Sequence, residues 1–151
     1  MRPDDLRRAC LQPAGAAEEF PFGPETSVFK VAGKIFALSA LGSPPVRVSL
    51  KCEPGLAEQL RDAHPQIVPG YHLNKRHWNT VSVDGLPDAM VLDMIEDSYD
   101  LVVSALPRRT REALGWTPET AEMADPRGVR AGAGQTKLGG ARVRSRYRWY
   151  R

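Results

Sequence analysis

SVFKVAGKIFALSALGSPPVRVSLKC, residues 27–52, decides the fold. Two apolar runs, SVFKV (27–31) and KIFALSAL (34–41), flank Ala32-Gly33. β-Branched and aromatic residues on both sides of so short a reversal predict a β-hairpin, with Gly33 supplying positive φ at its turn. Gly42-Ser43-Pro44-Pro45 then turns the chain into VRVSLKC (46–52). There Val46, Val48, Leu50 and Cys52 alternate with Arg47, Ser49 and Lys51, the period of a strand with one buried and one wet face. A one-residue slip would bury two cations, so the pattern also fixes the register. Three consecutive strands therefore form an antiparallel meander.

The flanking sequence supplies helices. Upstream, Asp4 or Asp5 suits the cap of a short helix carrying Leu6, Ala9 and Cys10, and Pro13 stops it. Downstream, Pro54 fits a first helical turn. Leu56, Ala57, Leu60 and Ala63 make the apolar stripe before Pro65. IVPGYHLNKRHWNTVSVDG (67–85) reads as irregular and then extended, with Thr80 to Val83 alternating and Asp84-Gly85 closing the strand. Pro87 opens the longest helix, marked by Val91, Met94, Ile95, Tyr99, Val102, Val103 and Leu106. Pro107 interrupts it, RRTREAL (108–114) continues, and Gly115 is a stop signal. The order α-β-β-β-α-β(β)-α-α predicts an α+β domain over residues 1–115. Its antiparallel sheet and the helices on one face form two layers, unlike a βαβ nucleotide fold. Residues 116–151 have no periodic apolar face and are rich in Gly and Arg, so they are predicted to be a disordered basic tail.

Charge divides at the same place. Residues 1–126 hold thirteen Lys and Arg against all eighteen Asp and Glu, a balance of −5; residues 127–151 hold eight cations and no acid. The net +3 therefore belongs to the tail, and the folded part is mildly acidic. No apolar run suggests a secretory leader or a membrane span, so a soluble cytoplasmic protein with no membrane association is expected. Cys10 and Cys52 sit at apolar-periodic positions and read as buried thiols of a reducing compartment rather than a disulfide.

No motif specifies an enzyme. His72 and His77 are wrongly spaced for one helical face, and their segment offers no Cys or carboxylate, so no metal is expected. Glu96, Asp97 and Asp100 read as the solvated face of the long helix rather than acid/base machinery. GxSxG, P-loop and GxGxxG patterns are missing, so neither catalytic residues nor a cofactor are assigned. What stands out is a surface set. Arg47, Ser49 and Lys51 share the wet side of one strand, and Lys75, Arg76, His77, Trp78 and Asn79 come from the segment entering the next. The cations suit phosphates, and Asn74, Asn79 or Trp78 suits bases or sugars. The plainer alternative is that the cations only solvate a sheet and Trp78 belongs to the core.

EEFPFGPETSVFKVAGKIFAL (18–38), VSLKCEP (48–54), PGYHLNKRHWNTV (69–81) and SYDLVV (98–103) resemble the MmcQ/YjbR family over residues 3–114. The resemblance implies a two-layer α+β fold of the secretion-chaperone or frataxin-like kind and a DNA-binding role through a double-wing surface. It implies no catalytic residues, and it puts Lys75, Arg76, His77, Trp78 and Asn79 in the family's signature segment. DNA is thus the expected partner. A protein or peptide adaptor on the same fold, without nucleic-acid binding, is the alternative.

Overall fold

A computed structural model describes residues 1–71 and 73–118. The elements are helix α1 (Pro3–Leu11), strands β1 (Ala17–Glu19), β2 (Ser27–Val31), β3 (Lys34–Ser39) and β4 (Arg47–Lys51), and helix α2 (Pro54–Ala63). Strands β5 (Ile67–Pro69) and β6 (Trp78–Ser82) and helices α3 (Asp88–Ser104) and α4 (Arg108–Ala113) follow. All strand pairs are antiparallel, in the order β1-β2-β3-β4-β6-β5. The helices pack on one face of this open, unclosed sheet, which is the two-layer α+β arrangement that the meander and helix pattern predict. The opposite face is partly exposed, with Arg47 in solvent but Val28 and Thr80 buried.

The hairpin forms as read. Val31 pairs Lys34, leaving Ala32 (φ 49°) and Gly33 (φ 76°) as a two-residue loop with both φ positive. Such a loop matches the right-handed twist of its strands. In β4, Val48 and Leu50 are buried, Arg47 is exposed, and Ser49 and Lys51 are half-buried, as alternation requires. The run KIFALS defeats alternation for a physical reason. Phe29 pairs Ala37 but Lys30 pairs Ile35, so Phe36 is the extra residue of a β-bulge. Phe36 and Ala37 are consequently both fully buried, whereas Ile35 and Leu38 are half-buried.

One core lies between the inner sheet face and the helices. Phe29, Phe36, Val48, Leu50 and Val81 meet Leu6 and Cys10 of α1, Leu56 and Leu60 of α2, and Met90, Val91, Ile95 and Val103 of α3. The Phe36 and Tyr99 rings meet edge to face, with centroids 5.5 Å apart. At α2, the Glu53 carboxylate accepts from Gly55 N (3.1 Å) and Leu56 N (3.0 Å), capping a helix whose first residue is Pro54.

Four expectations need correction. The first helix begins at Pro3, and Asp5 works from inside it, accepting from Arg2 N at 3.2 Å. Strand β1 adds an edge that the pattern does not give, whereas β5, at the other edge, is the second strand that β(β) allows. Asp97 and Asp100 are not on a solvated face: both are buried, and Asp100 Oδ1 accepts from Trp116 Nε1 at 3.0 Å. Trp116, assigned to the tail, therefore belongs to the body, where it packs against the core. The tail reading beyond residue 118 lies outside the described residues. Among those described, no helix is long and apolar enough to cross a membrane; Cys10 and Cys52 form no disulfide, and Cys52 is half-buried rather than buried like Cys10.

Candidate nucleic-acid interface

Register dictates what stands together on the open face. In the β4–β6 ladder, Arg47 lies opposite Ser82, Ser49 opposite Thr80, and Lys51 opposite Trp78. Directly paired residues point to the same side of a sheet, so these six share the open face beside Leu38, the partner of Ser49 on β3. No carboxylate occurs among the six. The Ser49 and Thr80 hydroxyls are 2.9 Å apart and hydrogen-bonded, and Thr80 Oγ1 also accepts from Tyr71 N at 3.1 Å. That second bond draws the chain after β5 across the open side. Tyr71 is 72% exposed there, the largest exposure of any big apolar side chain among the described residues.

The loop between β5 and β6 is held by its own sequence. Gly70 N donates to Trp78 O at 2.8 Å, and a Cβ at Gly70 would stand 2.7 Å from Trp78 Cβ, so only glycine lets the two backbones approach. Asn74 organises the turn: Oδ1 accepts from Arg76 N (3.0 Å), and its carbonyl accepts from His77 N (3.1 Å) and Trp78 N (3.0 Å). From α2, Arg61 Nη1 donates to Lys75 O at 2.9 Å and fixes the tip. Lys75 and Arg76 are exposed, and His77 and Trp78 are half-buried. His77 O accepts from Cys52 N at 2.7 Å, which extends the β4–β6 ladder by one rung.

Of the residues singled out in sequence, Arg47, Lys51 and Trp78 come together on the open face, with Lys75, Arg76 and His77 on the adjoining loop. Asn79 does not join them. It is 2% exposed on the inner face, where Oδ1 accepts from Arg61 Nη1 (3.2 Å) and Nδ2 donates to Ala57 O (3.5 Å). Its parity explains this, since Asn79 pairs Leu50 whereas Trp78 pairs Lys51. Tyr71, Thr80 and Ser82 were missed. The alternation of Thr80 and Ser82 with Val81 and Val83 was the signal available for two of them. Tyr71 carries no periodic signal, because its place depends on the bond to Thr80.

Other signature residues have inward tasks. Ser98 Oγ donates to Phe36 O at 2.6 Å and accepts from Lys51 N at 2.9 Å, joining β3 and β4 to α3. Tyr99 OH donates to Ala14 O at 2.7 Å. On the other flank Arg7 grips Glu18 (Nε–Oε1 2.8 Å, Nη2–Oε1 2.7 Å) and fastens α1 to β1. Burial alone would raise the Glu18 pKa, but hydrogen bonds from Arg7 and Ser27 and the Arg7 charge outweigh it and hold the carboxyl below its ordinary value.

Fold and surface thus define a two-layer α+β domain with an open sheet face bearing cations, hydroxyls and an aromatic ring. The chain belongs to the YjbR family, whose model matches residues 11–101. It is 36% identical to Escherichia coli K12 YjbR over 115 residues, covering 76% of this chain and 98% of that protein. It is 40% identical over 94 residues to YbdF of Escherichia coli O157:H7, covering 62% and 77%. The crystal structure of Deinococcus radiodurans protein DR2400, with family-model domain DUF419, superposes with a TM-score of 0.72. Identity there is 42%, and coverage is 77% of this chain and 89% of that one. A protein from Pseudomonas syringae gives a TM-score of 0.59 at 28% identity, covering 67% and 98%.

Proposed function

We propose that this chain is a non-catalytic DNA-binding protein of the cytoplasm that takes the nucleic acid on the open face of β4 and β6 and on the adjoining 73–78 loop. The observation that carries the reading is the acid-free set of exposed Arg47 and half-buried Ser49, Lys51, Trp78 and Ser82, arranged around buried Thr80 and flanked by exposed Lys75 and Arg76. Lys and Arg supply phosphate attraction, hydroxyls supply hydrogen bonds to phosphate or sugar, and an aromatic ring supplies a stacking surface. The family resemblance supports the same role. The test is a binding titration of the full chain against DNA at several salt concentrations. Affinity should fall as salt rises, and Arg47→Ala with Lys51→Ala should weaken it. No binding tighter than about millimolar at low salt would sink the reading.

The second reading, a protein or peptide adaptor, is favoured by one observation. Phe20 (51% exposed) and Phe22 (67%) flank Pro21 just beyond the edge strand β1. An exposed aromatic pair beside a strand edge that is unpaired among the described residues suits a protein partner. Phe20→Ala with Phe22→Ala separates the readings, because it should leave DNA affinity unchanged.

A further inference from the structure

Resting on the nucleic-acid reading above, we infer that the open face selects an unpaired strand over a duplex, stacking bases on Tyr71 and Trp78 while Lys51 and Arg47 meet the phosphates. Three observations lead there. The first is shape. The major groove of duplex DNA is about 12 Å wide and admits a helix or a two-stranded ribbon. Strands β4 and β6 are neither, because β3 flanks one and β5 the other. At about 4.8 Å per strand, the six-stranded face is roughly 24 Å across. It can lie against a strand but cannot enter the groove.

The second is charge. Within the described body, thirteen Lys and Arg face fifteen Asp and Glu. Duplex affinity grows with the number of phosphates neutralised. Among the described residues, β4, β6 and the loop offer only Arg47, Lys51, Lys75 and Arg76, and Lys30 further along the sheet is already held by Glu19 at 2.8 Å. A single strand needs fewer cations, because stacking contributes as well. The third is the placement of the rings. Gly70 N holds Trp78 O, and Tyr71 N holds Thr80 Oγ1, so the two aromatic residues lie one strand apart along the open side. Tyr71 is mostly in solvent, and Trp78 stands directly across from Lys51. A base on a ring beside a cation that reaches its phosphate is the recurrent arrangement of single-strand binders.

The experiment uses the full chain with labelled oligothymidylate, a matching oligouridylate and a mixed-sequence duplex of the same length. Wild type should bind an unpaired strand more tightly than the duplex, and the two oligomers report which sugar the face accepts. Tyr71→Ala should lower single-strand affinity by about tenfold while leaving duplex affinity and melting temperature unchanged. Tyr71 is 72% exposed and its N–H bond to Thr80 Oγ1 is kept in the variant, and the melting temperature reports whether it folds. The basic C-terminal segment contributes to all forms, so the ratio of affinities is the readout. Equal or tighter duplex binding, or an equal loss for both forms in Tyr71→Ala, overturns this inference and leaves DNA binding standing. No binding to any of the three overturns both.

Discussion

Ser98 connects the longest helix to two strands through one hydroxyl, donating to Phe36 O and accepting from Lys51 N. The β3–β4 pairing ends at Ala37 and Leu50, and Ser98 bridges the Phe36 carbonyl and the Lys51 amide where the next rung would fall. Ser98→Ala strands a buried acceptor and removes the partner of the Lys51 amide. Urea unfolding should show a loss of about 1–3 kcal/mol, and a change below ~0.5 kcal/mol would mean that water or a strand shift replaces the hydroxyl. Ala32 invites the opposite experiment. It holds φ 49°, a conformation that costs an L-residue with a Cβ roughly 1 kcal/mol and that Asn tolerates better. Asn-Gly is also the favoured pair for this two-residue loop. Ala32→Asn should therefore stabilise the fold by about 0.5–1 kcal/mol, seen as a higher urea midpoint at unchanged slope.

At the level of elements, legibility followed exposure. VRVSLKC was readable because one face of β4 meets the core and the other meets solvent, so every second residue reports burial. Strand β1, sequence AEE, was invisible: three residues at an edge, held by pairing to β2, carry no periodic pattern. Asp97 and Asp100 misled because charge was read as solvation, whereas α3 is buried over more of its circumference than one stripe. The open face was half legible, through Arg47, Lys51 and Trp78; Asn79 failed on parity alone. Helix α1 makes a titratable prediction. Its Cys10 is fully buried, and burial, with the Glu18 charge adding, pushes the thiol up to about 12 from 9.0. A raised folded pKa contributes stability that is fully present below the unfolded value and is lost as pH rises towards the folded one. Stability should thus fall between about pH 9 and 12. Tyr99, raised by burial and then by Asp100, adds a slope of the same sign. Cys10→Ala introduces a cavity, a constant offset, but should flatten that alkaline decline. Parallel curves for variant and wild type in urea unfolding across this range would show that Cys10 does not titrate as its burial dictates.

Over the whole chain the decisive property is the separation of charge between residues 1–126, at −5, and residues 127–151, at +8. All eight cations of residues 127–151 lie beyond a body whose acids outnumber its bases. Attraction to phosphate and choice among nucleic acids are therefore expected to come from different parts of the chain. A cut after Pro118 tests this while keeping Trp116, whose indole is bonded to Asp100. Each phosphate neutralised contributes about 0.9 to the slope of log affinity on log salt for duplex and about 0.7 for single strands. If most of the eight tail cations reach phosphates, truncation should flatten the slope by roughly 4–6 and weaken all sequences alike. Lys75→Ala with Arg76→Ala removes only two charges from the loop, so its slope should drop by no more than about 2. That double variant should instead erode the preference between unpaired strand and duplex, because these residues adjoin Trp78 and the open face. Titrations of wild type, truncated chain and double variant across several salt concentrations read both quantities together. A truncated chain that keeps the full salt slope would place the phosphate contacts on the body, against its charge balance. A tail peptide that alone reproduced both affinity and strand preference would make the folded domain a passenger in binding.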